Sequence, residues 1–220
     1  MIEVTYISHM GDDISVVNAA RVSFGKKSKY ECTDLIKGKW ELKPADVKLI
    51  KYLAEHNHKS PFNHAFATFH VKAPVFVARQ LVKHEYMPWN EISRRYVDSE
   101  PEFYDPEHWR GRSADKKQGS EGVVPPAPPN ILSGSVHKRA LENYKLLLHH
   151  GVAPEQARMV LPQSMMTEWY WSGSLYAFAK MCSLRCADDT QLETQLVAVE
   201  IENVMLNAFP VSWQALMANL

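Results

Sequence analysis

Residues 66–96 read FATFHVKAPVFVARQLVKHEYMPWNEISRRY. From Ala67 to Ala73 apolar and polar side chains alternate, the period of a strand with one buried face. Pro74 stands where a helix can begin, and VFVARQLVKH follows as a helix. What comes next is unlike a core segment. From Arg79 to Tyr96 the chain crowds together guanidinium and ammonium groups, carboxylates, amides and a hydroxyl. Arg79 and Gln80 lie about one turn upstream of Lys83 and His84, so these polar groups can converge. Tyr86 and Trp89 interleave aromatic faces among them.

Outward from this stretch the pattern is α+β. Residues 2–8 are rich in β-branched and aromatic types and predict an opening strand. Asp13 is the expected cap of a helix over ISVVNAARVSF, residues 26–44 a surface loop, and Pro44 the start of an amphipathic helix. Residues 105–135, rich in Pro, Gly, Ser and Lys, predict a long loop or insertion that divides the sequence but not the fold. A helix ending at Gly151, a helical turn from Pro154, a strand over SMMTEWYWSG and a helix over LYAFAKMCSLR follow. A last long helix over 188–208 is stopped by Pro210. Strands and helices without βαβ alternation predict a small, mostly antiparallel sheet packed with several long helices, in one domain spanning 1–220.

Composition narrows the function. The 220 residues carry 25 basic and 25 acidic side chains, a formal charge of zero. That gives no electrostatic footprint for nucleic acid or an anionic membrane, and little self-repulsion, which suits a subunit of an oligomer. No window approaches a membrane span. Three cysteines, Cys32, Cys182 and Cys186, fit a reducing cytoplasm better than a disulfide framework, and their spacing predicts no metal site. Glycine-rich dinucleotide and P-loop motifs are missing. Clustered arginines with interleaved aromatics suit a flat, polar, phosphorylated ligand instead.

The stretch resembles the signature of the flavin-dependent thymidylate synthases, in which R-H-R is followed after seven residues by Ser. Here Lys83-His84-Glu85 is followed after seven residues by Ser93, and Asn90-Glu91, Ser93 and Arg95-Tyr96 match outright. HKSPFNHAFATFHVKAPVFVARQ, ARMVLP and MMTEWYWSGSLYAFAKMCSLR resemble further family segments, so the likeness spans roughly 1–104 and 140–210. The resemblance implies methylation of dUMP to dTMP, with methylenetetrahydrofolate as carbon donor, reduced FAD as hydride donor and NADPH to recharge the flavin. It implies a homotetramer with active sites shared between subunits, in the cytoplasm or, for a viral source, the host's. It implies no covalent cysteine adduct.

Carried over by position, the dUMP site would use Gln80, Lys83, Glu91, Ser93, Arg94, Arg95, Arg158 and Arg185. Arg95 and Arg158 would clamp the phosphate, and Arg185 would be the catalytic group at the O2–N3 edge of uracil. Arg94 stands where the family has a small residue, so its backbone carries the role. The FAD site would use Ser60, Lys83, His84, Glu85, Asn90, Glu91, Ser174, Tyr176 and Lys180, with His58 on the folate side.

The departures gather on the flavin side. Lys83 and Glu85 replace both arginines of R-H-R, and Asn63 stands where a glutamate is usual. Lys180 would offset Glu85 if the two meet across a subunit boundary. Two alternatives follow from a rewritten flavin side: a hydroxymethylase giving 5-hydroxymethyl-dUMP, and a non-catalytic dUMP-binding homologue.

Overall fold

The computed structural model describes residues 1–97, 99–114, 119–125 and 135–220. The chain begins with β1 (Glu3–Met10), α1 (Asp13–Arg21), a hairpin of β2 (Glu31–Asp34) and β3 (Lys39–Glu41), and α2 (Pro44–Glu55). Next come β4 (Phe66–Pro74), α3 (Val75–Leu81), β5 (Trp89–Glu91) and a second hairpin of β6 (Arg110–Arg112) and β7 (Ser120–Val123). The rest is α4 (Lys138–His149), α5 (Pro154–Ala157), β8 (Met166–Ser174), α6 (Leu175–Arg185), α7 (Leu192–Ala208) and α8 (Pro210–Met217).

The fold is α+β, built on a four-stranded antiparallel sheet in the order β1-β4-β8-β5. The alternation in β4 and β8 sets its two faces. Ala67, Phe69, Val71 and Ala73 pair with Gly173, Trp171, Trp169 and Thr167, and all are buried. Trp171 and Phe69 both meet Phe178 of α6 edge-on, while Trp89 of β5 stacks on Trp169 at 4.3 Å. Each fully buried large side chain contributes roughly 2–3 kcal/mol. The other face is polar. Thr68 bonds Ser172 at 2.9 Å, and His70 approaches Glu168 at 3.2 Å.

Several sequence expectations shift. Asp12, not Asp13, caps α1, in a capping box with Ser15. Asp13 is buried and accepts from the backbone N–H groups of Val211 (2.9 Å) and Ser212 (2.8 Å), the first turn of α8. Pro210 does end α7, but its ring also suits the first position of the next helix, so α8 begins there. The expected surface loop over 26–44 contains the β2–β3 hairpin, and the loop over 105–135 contains β6 and β7. The long helix starts at Leu192 rather than residue 188. Most of the Pro-rich run lies outside the described residues.

Candidate active site

Two strand-to-helix joins build the site. β4 passes through Pro74 into α3, and β8 passes through Ser174 into α6. Ser174 caps α6: its hydroxyl accepts from the Ala177 N–H (3.2 Å) and donates to Asn63 (2.7 Å). Because β4 and β8 are neighbours in the sheet, the far ends of α3 and α6 bring residues 80–85 beside residues 180–185. Beyond α3 the chain reverses at Tyr86, whose φ of 59° is left-handed for a non-glycine residue. That conformation costs on the order of 1 kcal/mol. It lets Pro88 reach the sheet, where its carbonyl accepts from Ser172 N–H at 3.0 Å.

The two joins enclose a cavity of about 760 Å³. One wall carries Lys83, His84 and Glu85, the other Ser174, Tyr176, Lys180 and Arg185, and Lys59 and Asn63 close the end. Four cations, Lys59, Lys83, Lys180 and Arg185, face one carboxylate, Glu85, a local charge of +3. In a chain of zero net charge, this is a site for an anion. Lys59 Nζ lies 5.3 Å from the Tyr176 ring centre. Glu85 and Lys180 line the same cavity of one chain, and no ion pair joins them among the described residues. His84 is uncharged at neutral pH. Burial, then the positive charges of Arg185 and Lys180, push its pKa down to about 4. Its Nε2 lies 3.1 Å from Arg185 Nε, which donates to it.

Lys83 and Arg185 also line an adjoining pocket of about 280 Å³ with Gln80, Thr190 and Gln191. The Gln80 amide is held at both ends. Its oxygen accepts from Thr194 (3.2 Å) and its nitrogen donates to Gln191. His58 and Ser60 line a third cavity of about 790 Å³, between α1 and α2, with Arg21, Ser23 and Phe24. Lys59 belongs to both large cavities. The sequence reading passed over it, although it stands between His58 and Ser60.

The remaining expected residues sit elsewhere on the chain. Glu91, on the edge strand β5, accepts from Thr167 (2.7 Å) and from the Trp89 indole (3.1 Å). Asn90 shares that exposed strand. Arg94 donates to the Ser99 carbonyl, and Arg95 lies over the Tyr96 ring and within 3.3 Å of Ser93. Arg158, exposed after α5, donates to the Glu155 carbonyl. None of these lines the cavities that Arg185 lines.

A cationic cavity with an aromatic wall, opening beside a small polar pocket in an α+β fold, suits a phosphorylated, ring-bearing ligand. The comparisons narrow this reading. The sequence model described as thymidylate synthase complementing protein matches residues 5–211. The flavin-dependent thymidylate synthase of Thermus thermophilus is 39% identical over 212 residues, covering 96% of this chain and 74% of that one. The enzyme of that name from Thermosipho africanus is 37% identical, covering 95% and 88%. Among solved structures, a UMP/dUMP methylase, PolB from Streptomyces cacaoi bound with 5-bromo-dUMP, superposes with a TM-score of 0.81. It is 29% identical, and the match covers 99% of this chain and 95% of that one. A second structure of PolB, with 5-bromo-UMP, superposes equally well. This chain is an enzyme and belongs to the flavin-dependent thymidylate synthase family.

Proposed function

We propose that the protein converts dUMP to dTMP, taking the carbon from methylenetetrahydrofolate and using FAD recharged by NADPH. The observation that carries this reading is the convergence of Gln80, Lys83 and Arg185 on one small pocket beside the cationic cavity.

The donor set fits a flavin dinucleotide. Lys59, Lys83 and Lys180 would meet the diphosphate, and Tyr176 offers a ring face. When bound, the reduced flavin supplies the hydride that completes the methyl group. The protein's own groups do the rest. The Arg185 guanidinium, at the mouth of the small pocket, would meet the O2–N3 edge of uracil and stabilise negative charge on the ring as C5 becomes nucleophilic. Gln80, locked by Thr194 and Gln191, would orient the base. Arg95 and Arg158 are natural clamps for the nucleotide phosphate, and because neither lines a cavity of Arg185, a neighbouring subunit of a homotetramer would deliver them. Cys182 is not available as a nucleophile, because it is fully buried and burial pushes its thiol pKa up.

Mass spectrometry of the nucleotide formed from dUMP with FAD, NADPH and methylenetetrahydrofolate tests the reading. The expected product is dTMP. A hydroxymethyl product would redirect the chemistry to the hydroxymethylase, and unchanged dUMP in a flavin-free protein would leave only nucleotide binding. A second substrate, UMP, is worth the same assay, because the structural relative PolB is a UMP/dUMP methylase.

A further inference from the structure

We propose that His84 is a positioning residue for Arg185, holding the guanidinium at its Nε edge with a neutral acceptor so that the terminal nitrogens meet the substrate with full charge. The inference rests on the dUMP reading above, because its benefit is counted at the pyrimidine.

The geometry is a single bond, Arg185 Nε to His84 Nε2 at 3.1 Å, between the last turn of α6 and the turn that follows α3. An arginine side chain has several free torsions, and one acceptor at Nε fixes the guanidinium plane. The kind of acceptor matters. A carboxylate would engage two nitrogens of the fork and offset the positive charge. A neutral imidazole takes one hydrogen bond and leaves the charge whole, with the terminal nitrogens as the edge left to meet a carbonyl oxygen.

The surroundings keep the ring in that state. His84 is flanked by Lys83 and Glu85 on its own turn, faces Lys180 and Arg185 from α6, and shares the cavity with Lys59. Burial disfavours a charge on the ring, and the positive charges of Arg185 and Lys180 act in the same direction. With Nε2 accepting, the ring proton resides on Nδ1.

Calorimetric titration of dUMP into protein saturated with FAD tests the assignment, with flavin affinity and melting temperature measured alongside. His84→Leu removes the acceptor and is expected to weaken dUMP binding roughly tenfold. His84→Gln places an amide oxygen near the position of Nε2 and is expected to stay within about threefold of wild type. In an Arg185→Lys background, where Nε of the guanidinium no longer exists, His84→Leu should cost nothing further. Equal losses in the Leu and Gln variants would overturn the proposal. So would additive losses in the double variant, or unchanged dUMP affinity with only flavin binding reduced. A wild-type protein that does not bind dUMP at all would overturn the functional reading and this inference together, an outcome distinct from the others.

Discussion

Glu85 puts a carboxylate among four cations, and among the described residues no salt bridge ties it to any of them, so its effect on the cavity is one of summed charge rather than contact. Lys180→Glu lowers the local charge from +3 to +1 and is expected to weaken FAD binding about tenfold at low salt. Combining it with Glu85→Lys restores the sum and should bring binding back to within about threefold. Fluorescence titration at 20-fold different ionic strengths checks the mechanism, since roughly 1 M salt should erase both effects. If the double variant binds no better than the single, charge summation is wrong. His84 adds a pH dependence with a definite sign. Its pKa falls from 6.5 unfolded to about 4 folded, so the unfolded chain binds more protons between those values. Stability therefore declines as pH drops from 6.5 toward 4, and His84→Gln should show a smaller fall in melting temperature between pH 7 and pH 5 than wild type. The sequence set Lys83, His84 and Glu85 side by side and named Arg185 from a distant segment, and all four line one cavity. Spacing along the chain could not reveal that Glu91, Ser93, Arg95 and Arg158 lie outside the cavities that Arg185 lines, because it carries no information on how distant elements pack.

At the scale of elements, β4 and β8 could be read directly, since a one-sided core forces strict alternation. The β6–β7 hairpin could not, because its anchor is a pair distant in sequence. Arg110 donates from one terminal nitrogen to both carboxylate oxygens of Glu193 at 2.8 Å, in the first turn of α7. Burial pushes the Glu193 pKa up, but the Arg110 hydrogen bond and charge outweigh it and hold the carboxyl below its usual range. Arg110→Met leaves the buried Glu193 carboxylate without its charge partner, with the Tyr104 hydroxyl still donating to it at 3.2 Å, and is expected to cost about 3 kcal/mol in urea unfolding. Adding Glu193→Leu should recover most of that loss; if it does not, the hairpin's anchor lies elsewhere. α8 was hidden for another reason. The proline that ends α7 is the same signal that starts α8, and the carboxylate that caps α8 comes from α1. Asp13→Ala should cost about 1–3 kcal/mol by leaving the N–H groups of Val211 and Ser212 without an acceptor.

The whole molecule divides the expected site among three places, the α3–α6 cavity, the α1–α2 cavity with His58 and Ser60, and the surface beyond β5 and α5, and Arg185 and Arg158 fall in the first and the last. If neighbouring subunits join them, an Arg158→Ala chain and an Arg185→Ala chain each lack a different half. Co-folded in equal amounts, the two inactive variants should regain up to about a quarter of wild-type turnover, because random pairing assembles that share of intact sites. No recovery, with mixed oligomers shown to form, would place both arginines in a site made by one chain. The contact between Asp13 and the start of α8 joins residues 198 and 199 positions apart. A ribosome adding roughly 5–20 residues each second would take about 10–40 s to cover that distance. Throughout that time the α1 carboxylate would exist without its two amide donors, which had not yet been synthesised. The first helix can therefore settle into its final environment only after translation has passed Ser212, and a stalled chain would hold that carboxylate in water.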